Sequence, residues 1–141
     1  MKIIIKNLQK KVPVQPEKIK KAILKVLLSE RAPAFDEITV CFVNDLKIRE
    51  LNKRFLGSDT ATDVLAFKLE DAVDAGNPCA DIVISTDTAR RNAAIYKTPC
   101  SQELNLYVIH GILHLLGYDD HTDSRAKAMQ EKQEEYLKAV L

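Results

Sequence analysis

The chain's three histidines all fall in one segment, His110-Gly111-Ile112-Leu113-His114-Leu115-Leu116-Gly117-Tyr118-Asp119-Asp120-His121. His110 and His114 are four positions apart, so a helix through them projects both imidazoles from one face. Gly117 and the two aspartates signal a turn, and His121 follows it. Neutral imidazole is the commonest ligand for zinc-like ions, and three of them leave a fourth position for water, as in catalytic sites. A lone histidine on an apolar helix is more often a hydrogen-bonded core residue, but this pair and the third after the turn favour a metal. The expected ligands are therefore His110, His114 and His121.

The pair resembles the His-Glu-x-x-His helix of zinc proteases, with one difference that matters. Gly111 stands where the protease has its general base, so peptide hydrolysis by that route would lack a proton acceptor. Glycine inside a helix costs about 1 kcal/mol relative to alanine, so Gly111 implies either close approach of a substrate or tight helix–helix packing. Gly117 is read as a left-handed helix cap. Glu103, on the same face as His110, is either an acceptor for an imidazole N–H or a solvated first-turn residue favoured by the helix dipole.

These residues must be carried by regular elements. Residues 3–7 are β-branched and apolar, and read as a strand; Pro16 opens a helix that runs to about residue 30, with Ile19, Ala22, Ile23, Val26 and Leu27 at helical spacing. Residues 37–44 give a second strand, after which Asn44 or Asp45 caps a helix presenting Leu46, Ile48, Leu51 and Phe55. A loop at residues 57–60 precedes a third strand at 64–67. Residues 71–78 form an acidic, Gly- and Pro-containing connection to a fourth strand at 80–85. Thr86 or Asp87 caps the next helix, to about Tyr96. Residues 102–116 form a helix apolar on most faces, which is expected to be central and buried. A charged amphipathic helix closes the chain at about residues 123–140. The expected fold class is α+β, one domain over residues 1–141, with a small mixed sheet of about four strands packed with helices around a central apolar metal-bearing helix.

Composition sets outer limits. With 141 residues, 46% of them hydrophobic and 29% charged, the chain is sized and composed like a soluble single domain. A net charge of +1 offers no bulk electrostatic signature for nucleic acid, so any RNA contact needs a local basic patch. Cys41, Cys79 and Cys100 are odd in number and widely spaced, which suits free thiols in a reducing compartment. No apolar run reaches the length of a signal peptide core or a membrane span, and a cytoplasmic location is expected.

The segment from His110 to Asp119 is similar to the signature of the YbeY endoribonucleases, bacterial ribosomal RNA maturation factors. Further blocks stand in the family's order and spacing: Leu51-Asn52-Lys53-Arg54-Phe55, Thr62-Asp63-Val64-Leu65-Ala66-Phe67, Asp81-Ile82-Val83-Ile84-Ser85, and Glu103-Leu104. The resemblance covers nearly the whole chain. It implies a metal-dependent, single-strand-specific endoribonuclease acting in 16S ribosomal RNA maturation and ribosome quality control. It also implies one zinc ion, and ribosomal RNA with the ribosome or small-subunit proteins as partners.

Two positions depart from the family pattern. The third histidine commonly follows Gly-Tyr-Asp directly, whereas here Asp120 intervenes; His121 is favoured over Asp120 as third ligand because turns absorb one-residue insertions. Family members often carry an arginine in the loop after Phe55, where this chain has Leu56. Arg54 is adjacent, though it points elsewhere if the helix continues, and is the candidate for that role. Asp119, Asp120 or Asp63 could act as base or orient a water, while Asp119 also suits a turn-stabilising role. Lys53, Arg54, Arg90 and Arg91 are candidate phosphate contacts, and Tyr118 could stack on a base. The attacking group, a water or the neighbouring 2′-hydroxyl, stays open. The alternatives are a non-catalytic, metal-stabilised ribosome-assembly factor and a metallohydrolase of other substrates.

Overall fold

A computed structural model describes residues 1–69 and 76–140. In chain order the elements are β1 (Lys2–Asn7), α1 (Pro16–Ser29), β2 (Glu37–Val43), α2 (Asp45–Leu56), β3 (Val64–Leu69), β4 (Cys79–Ser85), α3 (Thr86–Tyr96), α4 (Cys100–Leu115) and α5 (Asp123–Val140). The sheet runs β1-β2-β4-β3, with β1, β2 and β4 parallel and β3 antiparallel on the edge beside β4. This is the mixed α+β arrangement expected. Most of the connection expected over residues 71–78 lies outside the described residues. Among the described residues, no helix is long and apolar enough to cross a membrane.

Period-two alternation in the strands gives the sheet two working faces. Ile38, Val40 and Phe42 of β2, with Ala80, Ile82 and Ile84 of β4, join the main core beneath α1 and α4. Their alternates, Val43 of β2, Val83 of β4 and Leu65 of β3, form a second cluster with Ile48 of α2 on the opposite face. Both faces of the sheet are therefore used, and α2 and α4 lie on different sides of it.

The helix starts show which local chemistry was decisive. Asn44 caps α2, its side chain accepting the Lys47 N–H at 2.9 Å, as expected. For α3 the cap is Ser85, accepting from Thr88 N, one residue earlier than the Thr86 or Asp87 expected. Asp87 is instead drawn to the neighbouring helix, where its carboxylate accepts the Asp45 N–H at 2.9 Å. The apolar helix expected at residues 102–116 begins two residues sooner, at Cys100, directly after Pro99.

Helix α4 is the centre of the main core, contacting α1, α3, α5, β3 and β4. Leu104, Tyr107, Val108, Ile109, Ile112, Leu113 and Leu115 are buried along it. Each such aliphatic side chain contributes about 1.5–3 kcal/mol by burial, so α4 is anchored by apolar packing alone. Gly111 belongs to this packing. A Cβ there would lie 2.9 Å from Ile82 Cγ2, 3.3 Å from Ile82 Cδ1 and 3.4 Å from Val64 Cγ2. Gly111 thus serves close packing, but against strands β4 and β3 rather than against the second helix expected. Ile82 is fully buried and β-branched, so it has little room to yield. Gly111→Ala is expected to destabilise the fold by about 1–2 kcal/mol, overpacking outweighing the gain in helix propensity. A urea melt checks this: the midpoint should fall with an unchanged slope, and an equal or higher midpoint would show that Ile82 moves aside.

Candidate metal centre

His110 and His114 lie near the C-terminal end of α4, one turn apart, partly buried. Their rings meet edge to face, with centroids 4.5 Å apart at 76°, and their Nε2 atoms converge to 2.9 Å. The other nitrogen of the His110 ring is engaged by α5. His110 Nδ1 is hydrogen-bonded to Oε1 of Gln133 on α5. The Tyr118 backbone and the charges of Asp119 and Asp120 near His114 favour its charged form. Burial, with His110 beside it, nonetheless pushes the His114 imidazole below the ordinary histidine range.

This geometry suits a cation. Gln133 Oε1 accepts only, so Nδ1 of His110 carries the proton and its Nε2 presents a lone pair. A His114 ring protonated at Nδ1 would present its Nε2 lone pair to the same point. Two lone pairs facing each other are unfavourable until a positive centre sits between them. A tetrahedral ion at about 2.0–2.1 Å from each nitrogen would set them about 3.3 Å apart, a few tenths of an ångström wider than here.

The other expected residues sit differently. His121 is exposed, its side chain 75% accessible, with Nδ1 3.6 Å from Asp119 Oδ2. Among the described residues, no group of three or more His, Cys, Asp or Glu side chains is gathered for a metal. Asp120 is exposed, yet its charge and that of Asp119 both reach His114. Asp119 accepts the His121 backbone N–H at 3.1 Å and lies 3.4 Å from Arg125 Nη1, so its carboxylate organises the turn. Asp63 takes the N–H of Val64 at 2.8 Å, at the start of β3. Arg54 is exposed on α2, across the sheet from α4, with its guanidinium 5.4 Å from the Phe55 ring centre. Lys53 and Arg90 are exposed, whereas Arg91 is paired with Asp45 at 2.6 Å. Glu103 is buried and accepts from Thr98 Oγ1 at 3.3 Å. The three cysteines are free thiols, each partly buried.

Two residues that hold this region in place carry no motif. Gln133 lies in a polar stretch of α5, where an orienting glutamine looks like any solvated one. Glu30, which caps α1, accepts hydrogen bonds from Tyr118 Oη at 2.6 Å and from Tyr136 Oη, and lies 3.5 Å from Lys132 Nζ. Burial alone would raise its carboxyl, but the two phenols and the ammonium outweigh burial and hold it below the usual carboxylate range. Tyr118 in turn is pushed up to about 12, chiefly by its bond to Glu30. The clasp ties the end of α1 to α5 and to the turn that leads to His121.

A mixed four-stranded sheet, with a buried helix presenting two convergent imidazoles beside a clamped turn, is the type of protein these observations define. The family model described as Endoribonuclease YbeY matches residues 4–141, and the chain belongs to that family. It is 39% identical over 140 aligned residues to the endoribonuclease YbeY of Syntrophus aciditrophicus, covering 96% of this chain and 87% of that one. With the endoribonuclease YbeY of Desulforamulus reducens the identity is 37% over 149 aligned residues, covering 99% and 97%. The chain is also similar to the solution structure of TM1509 from Thermotoga maritima, with a TM-score of 0.67, 33% identity, and coverage of 98% of this chain and 88% of that one.

Proposed function

We propose that the protein is a metal-dependent, single-strand-specific endoribonuclease that matures 16S ribosomal RNA and serves ribosome quality control in the cytoplasm. The observation that carries the metal is the convergence of His110 and His114 Nε2 at 2.9 Å, with His110 Nδ1 held by Gln133. RNA as substrate rests on family membership, whose relatives are named endoribonucleases. His110 and His114 would hold one Zn²⁺ with a third donor from the turn, His121 being favoured and Asp120 the alternative. When bound, the ion would polarise a phosphoryl oxygen of the RNA backbone and acidify a water.

The chain's own residues prepare that site. Gln133 sets the His110 tautomer, so that no proton must leave its Nε2 before an ion binds. Asp119 fixes the turn, and its charge at His114 suits a role in orienting or accepting a proton. Asp63 is the second candidate carboxylate and Arg54 the candidate phosphate contact, at the mouth of β3 and on α2 respectively. Apolar packing already secures α4, which favours a catalytic ion over the structural one of a non-catalytic assembly factor. The test is cleavage of a single-stranded RNA and of its duplex, with and without chelator. Loss on chelation with an unchanged melt, and preference for the single strand, are expected. Unfolding on chelation would instead support the structural role.

Gln133 supplies a sharper check. Gln133→Ala is expected to weaken zinc affinity about 10–100-fold, because His110 loses the acceptor that orients it. Gln133→Glu keeps an acceptor and should restore most of it. Competition against a chromophoric chelator reads both, independently of any RNA.

A further inference from the structure

Charge is distributed unevenly along this nearly neutral chain. Residues 1–31 hold nine Lys and Arg against two acidic residues, whereas the remainder holds twelve against eighteen. The basic excess falls on the edge strand β1, the loop after it and α1. Lys10, Lys11, Lys18, Lys21 and Lys25 are all exposed there. Among the described residues none of these five is in an ion pair, while Arg49, Arg91, Arg125 and Lys132 elsewhere all have carboxylate partners. Lys10 and Lys11 line the near side of a recess of about 440 Å³ whose far side carries Asp45 and Asp87 at the N-termini of α2 and α3.

The placement on α1 opposes what the helix itself favours. Lys18 sits in the first turn beside Glu17, where the macrodipole is positive and only the acid is favoured, and the last turn has no basic residue to meet the negative end. Lys21 follows Lys18 by three positions and Lys25 follows Lys21 by four, so the ammonium groups are neighbours on one face and repel. An ordinary solvated face would alternate signs, as the Lys20–Glu17 pair does on the same helix. A local rule broken without a structural gain marks a surface kept for binding.

We propose that this edge, from the Lys10-Lys11 loop along the Lys18-Lys21-Lys25 face of α1, is a docking surface for the phosphate backbone of RNA, separate from the histidine pair. It rests on the nuclease reading above only for the identity of the polyanion. Contacts to phosphates position a strand without reading its sequence, so this edge would hold the RNA outside the cleaved stretch. A long substrate would then gain affinity that a short one cannot.

The test is fluorescence anisotropy of labelled long and short single-stranded oligouridylates, with chelator present, across a series of KCl concentrations. The triple variant Lys18→Glu/Lys21→Glu/Lys25→Glu is expected to bind the long strand about tenfold or more weakly at low salt. Its log–log salt slope should flatten by about 2, the loss of three phosphate contacts. Its melting temperature should hold, since all three positions are exposed and glutamate has about the helix propensity of lysine. Lys97→Glu/Lys138→Glu, on other elements, should lose less affinity per charge. Equal binding of the long strand by the triple variant, or an equal loss per charge in the control, would overturn the docking surface, whatever else that face binds. The nuclease reading is scored separately, by wild-type cleavage of RNA with metal restored. Binding without cleavage removes that reading and keeps this one, and cleavage with unaltered binding does the reverse.

Discussion

The His114→Ala protein is expected to lose RNA cleavage by about a thousandfold or more while keeping its fold. A bound ion supplies several kcal/mol of transition-state charge stabilisation, and each 1.36 kcal/mol is about tenfold in rate. Removing one of two convergent Nε2 atoms, 2.9 Å apart, should remove the ion with it. The fold should survive because α4 is held by buried Leu104, Val108, Ile109, Ile112 and Leu113, none of which touches the ion's position through a ligand role. Alanine is also the best helix former for the vacated position. The measurement is threefold: metal content by elemental analysis, melting by circular dichroism, and cleavage of a single-stranded RNA. Wild-type cleavage by His114→Ala would end the metal-nuclease reading. His121→Ala and Asp120→Ala, run beside it, identify the third donor: the variant with the greater loss of zinc affinity names the ligand.

Replacement of Glu30 should produce the largest change in stability outside the apolar core. Its carboxylate is only 12% accessible and receives Tyr118, Tyr136 and Lys132 from two other segments. Hydrogen bonds to a charged group contribute about 1.5–3 kcal/mol each and do not add fully, so Glu30→Ala is expected to cost about 2–4 kcal/mol. The pH dependence has a definite sign. Glu30 has a folded pKa held below its ordinary value of 4.5. Its contribution is therefore fully present above about pH 4.5 and is lost as the pH falls through the lower, folded value. Wild-type protein should lose stability across that acidic window, and Glu30→Gln, which carries no charge, should show a flatter acid limb and lower stability at neutral pH. Urea melts at several pH values check both, and matching acid profiles in wild type and Glu30→Gln would remove Glu30 from the account. Because Tyr118 immediately precedes Asp119, loosening this clasp should also weaken zinc affinity.

These two residues show how differently parts of the site are written. His114 was legible because the relation between positions four apart is fixed by helix geometry, whatever surrounds the helix. Asn44 as a cap and the strand at residues 80–85 were legible for the same reason: short-range chemistry and an alternating period decide them. Ser85 was missed as the α3 cap because Asp87, an equally good cap by type, is recruited to the N-terminus of α2. Glu30 and Gln133 left no local signal at all. Their partners lie 88 and 23 residues away at Tyr118 and His110, and become neighbours only after α1, α4 and α5 pack.

The sequence by itself determined that this chain has a central apolar helix with two imidazoles on one face, a turn after it, and strands of alternating pattern to support it. These are consequences of residue type and of the 3.6 and 2.0 periods of helix and strand. Only the tertiary structure decided that β3 lies antiparallel on the sheet edge, that Gly111 serves contact with Ile82, and that α2 with Arg54 lies across the sheet from the histidines. It likewise decided that Gln133 holds His110 Nδ1 and that Glu30 holds the turn. Strand order and helix docking are set by how faces from distant segments fit and are dehydrated together, and no local period encodes that fit.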